Sequence, residues 1–151
     1  MNGLLLRLGA FFAAFLFAAA TNSVINRIYP RFENVAVGSM TIPPDGRGGF
    51  SSFRSRDGVD LIFEHFDFPS HEAANAAFQN MLRGAQRTVE REVLYDRAGR
   101  LVTGERVVIA FRAKSGVDAA AVISVDDTKV YEIASTSLRH ALFFERSHRR
   151  Y

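Results

Sequence analysis

The hydrophobic pattern of this chain changes character twice. Apolar residues run unbroken from Leu8 to Ala20, then give way to a Pro- and Gly-rich stretch. From residue 50 onward, apolar and polar positions alternate in strand-like periods that one helical stretch interrupts. Each regime predicts a different kind of structure.

The first regime reads as an export or membrane-insertion signal. Arg7 is the one charged side chain in the first twenty residues, and no acid appears before Glu33. The 13-residue run suits a signal-peptide core, and Ala18-x-Ala20 offers a small-residue cleavage site. A membrane span needs about 20 residues, and Gly3 to Ile25 supplies them if Arg7 snorkels to the headgroups. Helical spacing also continues past Ala20. Val24, Ile25, Ile28, Tyr29 and Phe32 fall at the spacing of one helix face, and Pro30 then stops the helix. A cleaved signal needs no such continuation, so a retained N-terminal anchor helix over residues 1–29 is the expectation. The domain would then sit outside the cytoplasm, or be exported if cleaved after Ala20.

Residues 30–49 hold Pro30, Pro43, Pro44, Gly38, Gly46, Gly48 and Gly49 and read as a linker, with a short extended piece at 34–37. The α+β domain is expected over 50–146. Phe50–Arg56 and Val59–Phe68 form a hairpin about Asp57-Gly58. The second strand breaks its own alternation, which predicts either a bulge near Glu64-His65 or burial on both faces. Ser70 caps a helix whose stripe is Ala74, Phe78, Met81, Leu82 and Ala85, ending near Arg87. Strands follow from Val89, Leu101, Ala119 and Lys129. Residues 138–146 can be a short helix capped by Ser137, or a strand. Residues 147–151 form a basic tail. The fold expected is α+β, an antiparallel sheet of about five to six strands with one long helix on one face.

Composition narrows the functions. A net charge of +3 is too small to argue for nucleic acid. Arg outnumbers Lys 17 to 2, which points to a GC-rich, bacterial genome rather than a binding surface. The absence of cysteine excludes disulfides, thiolate metal sites and cysteine nucleophiles. Fourteen Phe and no Trp imply a core built on phenylalanine.

The candidate chemistry is sparse. Tyr95-Asp96-Arg97-Ala98-Gly99-Arg100-Leu101 resembles the repeat core of the YD-repeat shell proteins, in which Tyr-Asp-x-x-Gly-Arg-Leu recurs in tandem. A single copy cannot build a stacked shell, so its physical content is a hairpin turn. His65, Asp67 and His140 are the one set that could converge on a metal or a catalytic role. Glu90 and Glu92 share a strand face that Arg106 or Arg112 can balance across the sheet. Arg146, Arg149 and Arg150 with His148 could touch an anionic lipid or polymer. The PPDGRGG stretch lacks the Lys-Ser/Thr of a phosphate loop, and no hydrolase or dinucleotide motif occurs. No residue is therefore assigned a catalytic, cofactor-binding or metal role. The expectation is a non-enzymatic envelope module that binds a protein partner, through a sheet face or edge, or a small ligand. The alternative is a small exported enzyme or metal-dependent binder using His65, Asp67 and His140.

Overall fold

The computed structural model describes residues 32–148. The anchor expected over residues 1–29 lies outside the described residues. No described helix is long and apolar enough to cross a membrane.

Seven strands form one antiparallel sheet: β1 Phe32–Ile42, β2 Gly46–Ser55, β3 Asp60–Asp67, β4 Arg87–Tyr95, β5 Val102–Arg112, β6 Asp118–Asp126 and β7 Lys129–Ser135. Two helices, α1 His71–Leu82 and α2 Leu138–His148, complete the described fold. The strand order is β1-β2-β3-β7-β6-β5-β4. Two meanders thus meet in the middle, where β3 pairs with β7. Helix α1 carries the chain from the centre of the sheet to its far edge and packs on β6 and β7.

The sheet is larger than the pattern predicts because residues 32–49 are not a linker. They form β1 and the first part of β2. Pro43, Pro44 and Asp45 make the turn between them, with Asp45 at φ 59. The glycines that resembled flexible joints are strand positions, Gly38 and Gly46 beneath aromatic rings and Gly48 and Gly49 against neighbouring backbone carbonyls. A Cβ on Gly38 would meet the Phe50 ring at 2.5 Å, and one on Gly46 would meet Phe68 at 2.4 Å. Glycine here marks close packing, not freedom.

The broken alternation in β3 comes from burial on both faces. Its register runs without a shift from Leu61↔Ser135 to Asp67↔Lys129. Ile62 and Phe66 join Phe78 in one core, while Leu61 joins Phe144 in the other. The strand is central, with α1 on one face and α2 on the other, so neither face can be polar throughout.

Ser70 caps α1 as expected, at φ −152, its Oγ accepting from the Ala73 amide at 3.1 Å. The helix stops at Leu82, five residues before Arg87, because Gly84 lies in the turn and the Gln86 amide donates to Ala110 O in β5 at 3.0 Å. Residues 138–148 are helical, as the short-helix reading of 138–146 expects, which removes the strand alternative and adds a second helix of nearly the same length as α1. The Asp96 turn forms as expected, with Gly99 at φ 67. Asp96 Oδ1 accepts from the amides of Arg100 and Leu101 at 2.7 and 3.2 Å, which holds its carboxyl below the usual range.

A candidate binding cleft beside the second helix

The start of α2 is built from serines. Ser135 Oγ donates to Asp60 O at 2.8 Å and accepts from the Ser137 amide at 3.1 Å. Ser137 O then accepts from the amides of His140 and Ala141, both at 3.1 Å, which opens the helix. Helical spacing sends Ala141, Phe144 and Glu145 toward the sheet, where all three are buried.

An ion pair fixes the far end. Arg106, in β5, grips Glu145 with two bonds: Nε to Oε1 at 2.5 Å and Nη2 to Oε2 at 2.7 Å. Its Nη1 donates to Glu90 Oε1 at 2.9 Å and lies 3.8 Å from Glu92. The Glu145 hydrogen bonds dominate in raising the Arg106 pKa, against the opposing effect of burial. Arg106 therefore balances the Glu90/Glu92 pair, whereas Arg112 turns to Asp118 and Gly116 O.

The outward side of α2 borders a cleft of about 720 Å³. Leu138, Leu142 and Phe143 join Phe32 as its apolar lining. Arg56, Arg139 and Arg146 stand around it, all exposed, with no ion-pair partner among the described residues. Asp57, Ser55 and His140 complete the wall. Phe143 keeps 41% of its surface exposed, although its ring lies 6.3 Å from that of Phe32.

The polar groups of this wall are bonded to one another. Ser55 Oγ donates to Asp57 Oδ1 at 2.5 Å and accepts from the Val59 amide at 2.9 Å. His140 Nε2 lies 3.0 and 3.1 Å from the Asp57 oxygens, and Nδ1 lies 2.8 Å from Ser137 Oγ. With Asp57 ionised and the ring neutral, Nε2–H donates to the carboxylate and Nδ1 accepts the Ser137 hydroxyl proton. The Ser55 bond, then the His140 bond, hold the Asp57 carboxyl below its ordinary value of 3.8. This Asp-His-Ser line has the connectivity of a catalytic triad. Its serine hydroxyl, however, sits at the helix cap and does not line the cleft.

The structure does not gather the three residues singled out from sequence. His65 is exposed on the α2 side of β3, its ring stacked 6.0 Å from Phe63, while Phe63 stacks on Tyr131. Asp67 lies 3.9 Å from Lys129. His140 belongs to the cleft instead. Among the described residues no group of three or more His, Asp or Glu side chains is placed to hold a metal ion.

Sequence reading missed the cleft because its residues carry ordinary local roles. Asp57 reads as a turn residue, Ser137 as a cap, and Arg146 as part of a basic tail. Only a joint between the β2–β3 turn and α2 makes them neighbours, and nothing in the linear order shows that joint. Glu64 and Glu132 were equally hidden. They face each other in register across β3 and β7, both 3% exposed.

No family model matches the chain. No curated protein matches it either. Among solved structures, the chain is similar to a GTP binding regulator from Thermotoga maritima, with a TM-score of 0.50 over 86% of this chain and 87% of that one. Sequence identity is 9%, so the likeness shows a shared fold and nothing of the site.

Proposed function

We propose that this chain is a non-enzymatic binding module of the cell envelope, tethered by its N-terminal apolar segment with the domain outside the cytoplasm. The cleft along α2 is its contact surface. One observation carries the reading: an apolar cleft is ringed by three arginines without ion-pair partners among the described residues, while its histidine, aspartate and serine are engaged with each other. Such a site suits recognition, because apolar walls with a few placed polar groups are the usual form of a binding pocket. The tether rests on the run from Leu8 to Ala20 and its continuation to Tyr29. The structural neighbour's description as a GTP binding regulator supports no nucleotide site here, since the phosphate-loop residues are lacking.

One observation favours a second reading, a small hydrolase using the Asp57–His140–Ser137 line. A fluorophosphonate probe separates the two. The binding reading expects Ser137 to stay unlabelled in the full chain, and stoichiometric labelling at Ser137 would replace it with the hydrolase. The tether is tested by the intact mass of the native protein after an alkaline membrane wash. A membrane-bound product beginning at Met1 supports it; a soluble product beginning at Thr21 removes it.

A further inference from the structure

We infer that the α2 cleft takes a single-chain anionic amphiphile, its acyl chain against the apolar lining and its carboxylate or phosphate head among the arginines. The inference rests on the binding reading above and names the ligand class.

Charge argues first. Arg56, Arg139 and Arg146 stand around the cleft against one carboxylate, Asp57, which His140 already engages. A guanidinium fork matches a carboxylate or phosphate with two parallel bonds, and three forks around one hollow favour an anion. Shape argues second. Leu138 and Leu142 are one helical turn apart on α2, with Phe143 beside them and Phe32 across, so the lining is a continuous hydrocarbon strip. A volume of about 720 Å³ falls in the ordinary range for small-molecule pockets.

The bonding pattern argues against an acidic peptide in the same place. An extended backbone entering a cleft must find partners for its amides and carbonyls. The Ser55 hydroxyl and His140 Nε2 donors are both committed to Asp57, and His140 Nδ1 to Ser137, so this side of the wall offers a peptide carbonyl no spare neutral donor. A hydrocarbon chain asks for none. A flat polyanion would leave the apolar strip wet. An acyl chain with one charged head satisfies both halves of the site.

The test uses the full chain in phosphatidylcholine nanodiscs and three twelve-carbon photoreactive probes, with carboxylate, phosphate or neutral glycerol heads. Adducts are mapped by peptide mass spectrometry. At least one anionic probe is expected to label residues 138–146 and Phe32 at least five-fold more than the neutral one. Preference for the carboxylate identifies a free fatty acid as the source, and preference for the phosphate a lipid headgroup. The R139E/R146E double variant should lower that labelling at least five-fold at an unchanged melting temperature. If that variant does not fold, Arg56→Glu on the β2–β3 turn serves the same purpose. Equal labelling by the neutral probe, or unchanged labelling in the charge variants, overturns the inference. Labelling confined to the His65–Tyr131 strip also overturns it, yet leaves the binding-module reading standing; that reading falls separately, on the Ser137 probe.

Discussion

The two faces of the sheet are built on different principles. On the α1 face the core is mainly hydrocarbon contact, where Phe66, Phe68, Phe78, Met81, Ile109, Phe111 and Ile123 interlock with alanines that let the helix sit close, although strand alternation also places the buried carboxyl side chains of Glu64 and Glu132 on this face. Beneath α2 a smaller cluster around Phe53, Leu61 and Phe144 is supplemented by the buried Arg106–Glu145 pair and the His140–Asp57 contact. Apolar burial is non-directional and supplies stability. A bidentate ion pair is directional and adds little net stability, because desolvation offsets its attraction. It does set where α2 lies. The α1 face holds the fold, and the α2 face holds a helix at a defined position with its outer side available.

The contrast breaks most readily at Phe78. Phe78→Ala should cost about 4 kcal/mol in urea unfolding, since the ring is fully buried and its cavity cannot collapse against sheet backbone. A loss under about 1 kcal/mol would show that the α1 side is not the main core. Glu145→Ala should cost about 3 kcal/mol by stranding the Arg106 charge, with Glu90 and Glu92 limiting the damage. Replacing both partners, R106M with E145L, should bring stability back to within about 1 kcal/mol of the parent while loosening α2. Amide exchange in 138–148 reads that loosening directly.

Gly46→Ala should cost about 2 kcal/mol, because the added methyl drives the Phe68 ring out of its place. The smallest effect belongs to Asp57→Asn. The folded carboxyl is held below 3.8. Its contribution is therefore present above pH 3.8 and disappears as pH falls through the lower folded value. The variant should melt slightly below the parent at pH 6, and the gap should close on acidification. A gap that widens toward low pH would contradict the assigned contact.

How far the sequence could be read follows the same division. The hairpin at Asp57-Gly58, the Ser70 cap and the Asp96 turn were legible, because each rests on local chemistry, and the period of β3 alone narrowed it to a bulge or burial on both faces without deciding between them. Residues 32–49 were misread because proline and glycine signal turns in isolation. Here Phe50 and Phe68 come from other parts of the sheet to cover Gly38 and Gly46. The exposed β4 was placed correctly, although Val89 and Val93 on it are not core, being 42% and 46% exposed. The cleft was illegible for a stronger reason. Its wall joins a turn near residue 57 to a helix near residue 140, and no periodicity spans that separation.

The division of labour between the faces is tested most directly by hydrogen exchange on the full chain with and without dodecanoate. Protection should rise in 138–146, around Phe32 and at 55–57, with α1 and β4 unchanged. Protection that appears instead across 71–82, or that spreads evenly over both helices, would contradict the assignment of the α2 face as the working surface.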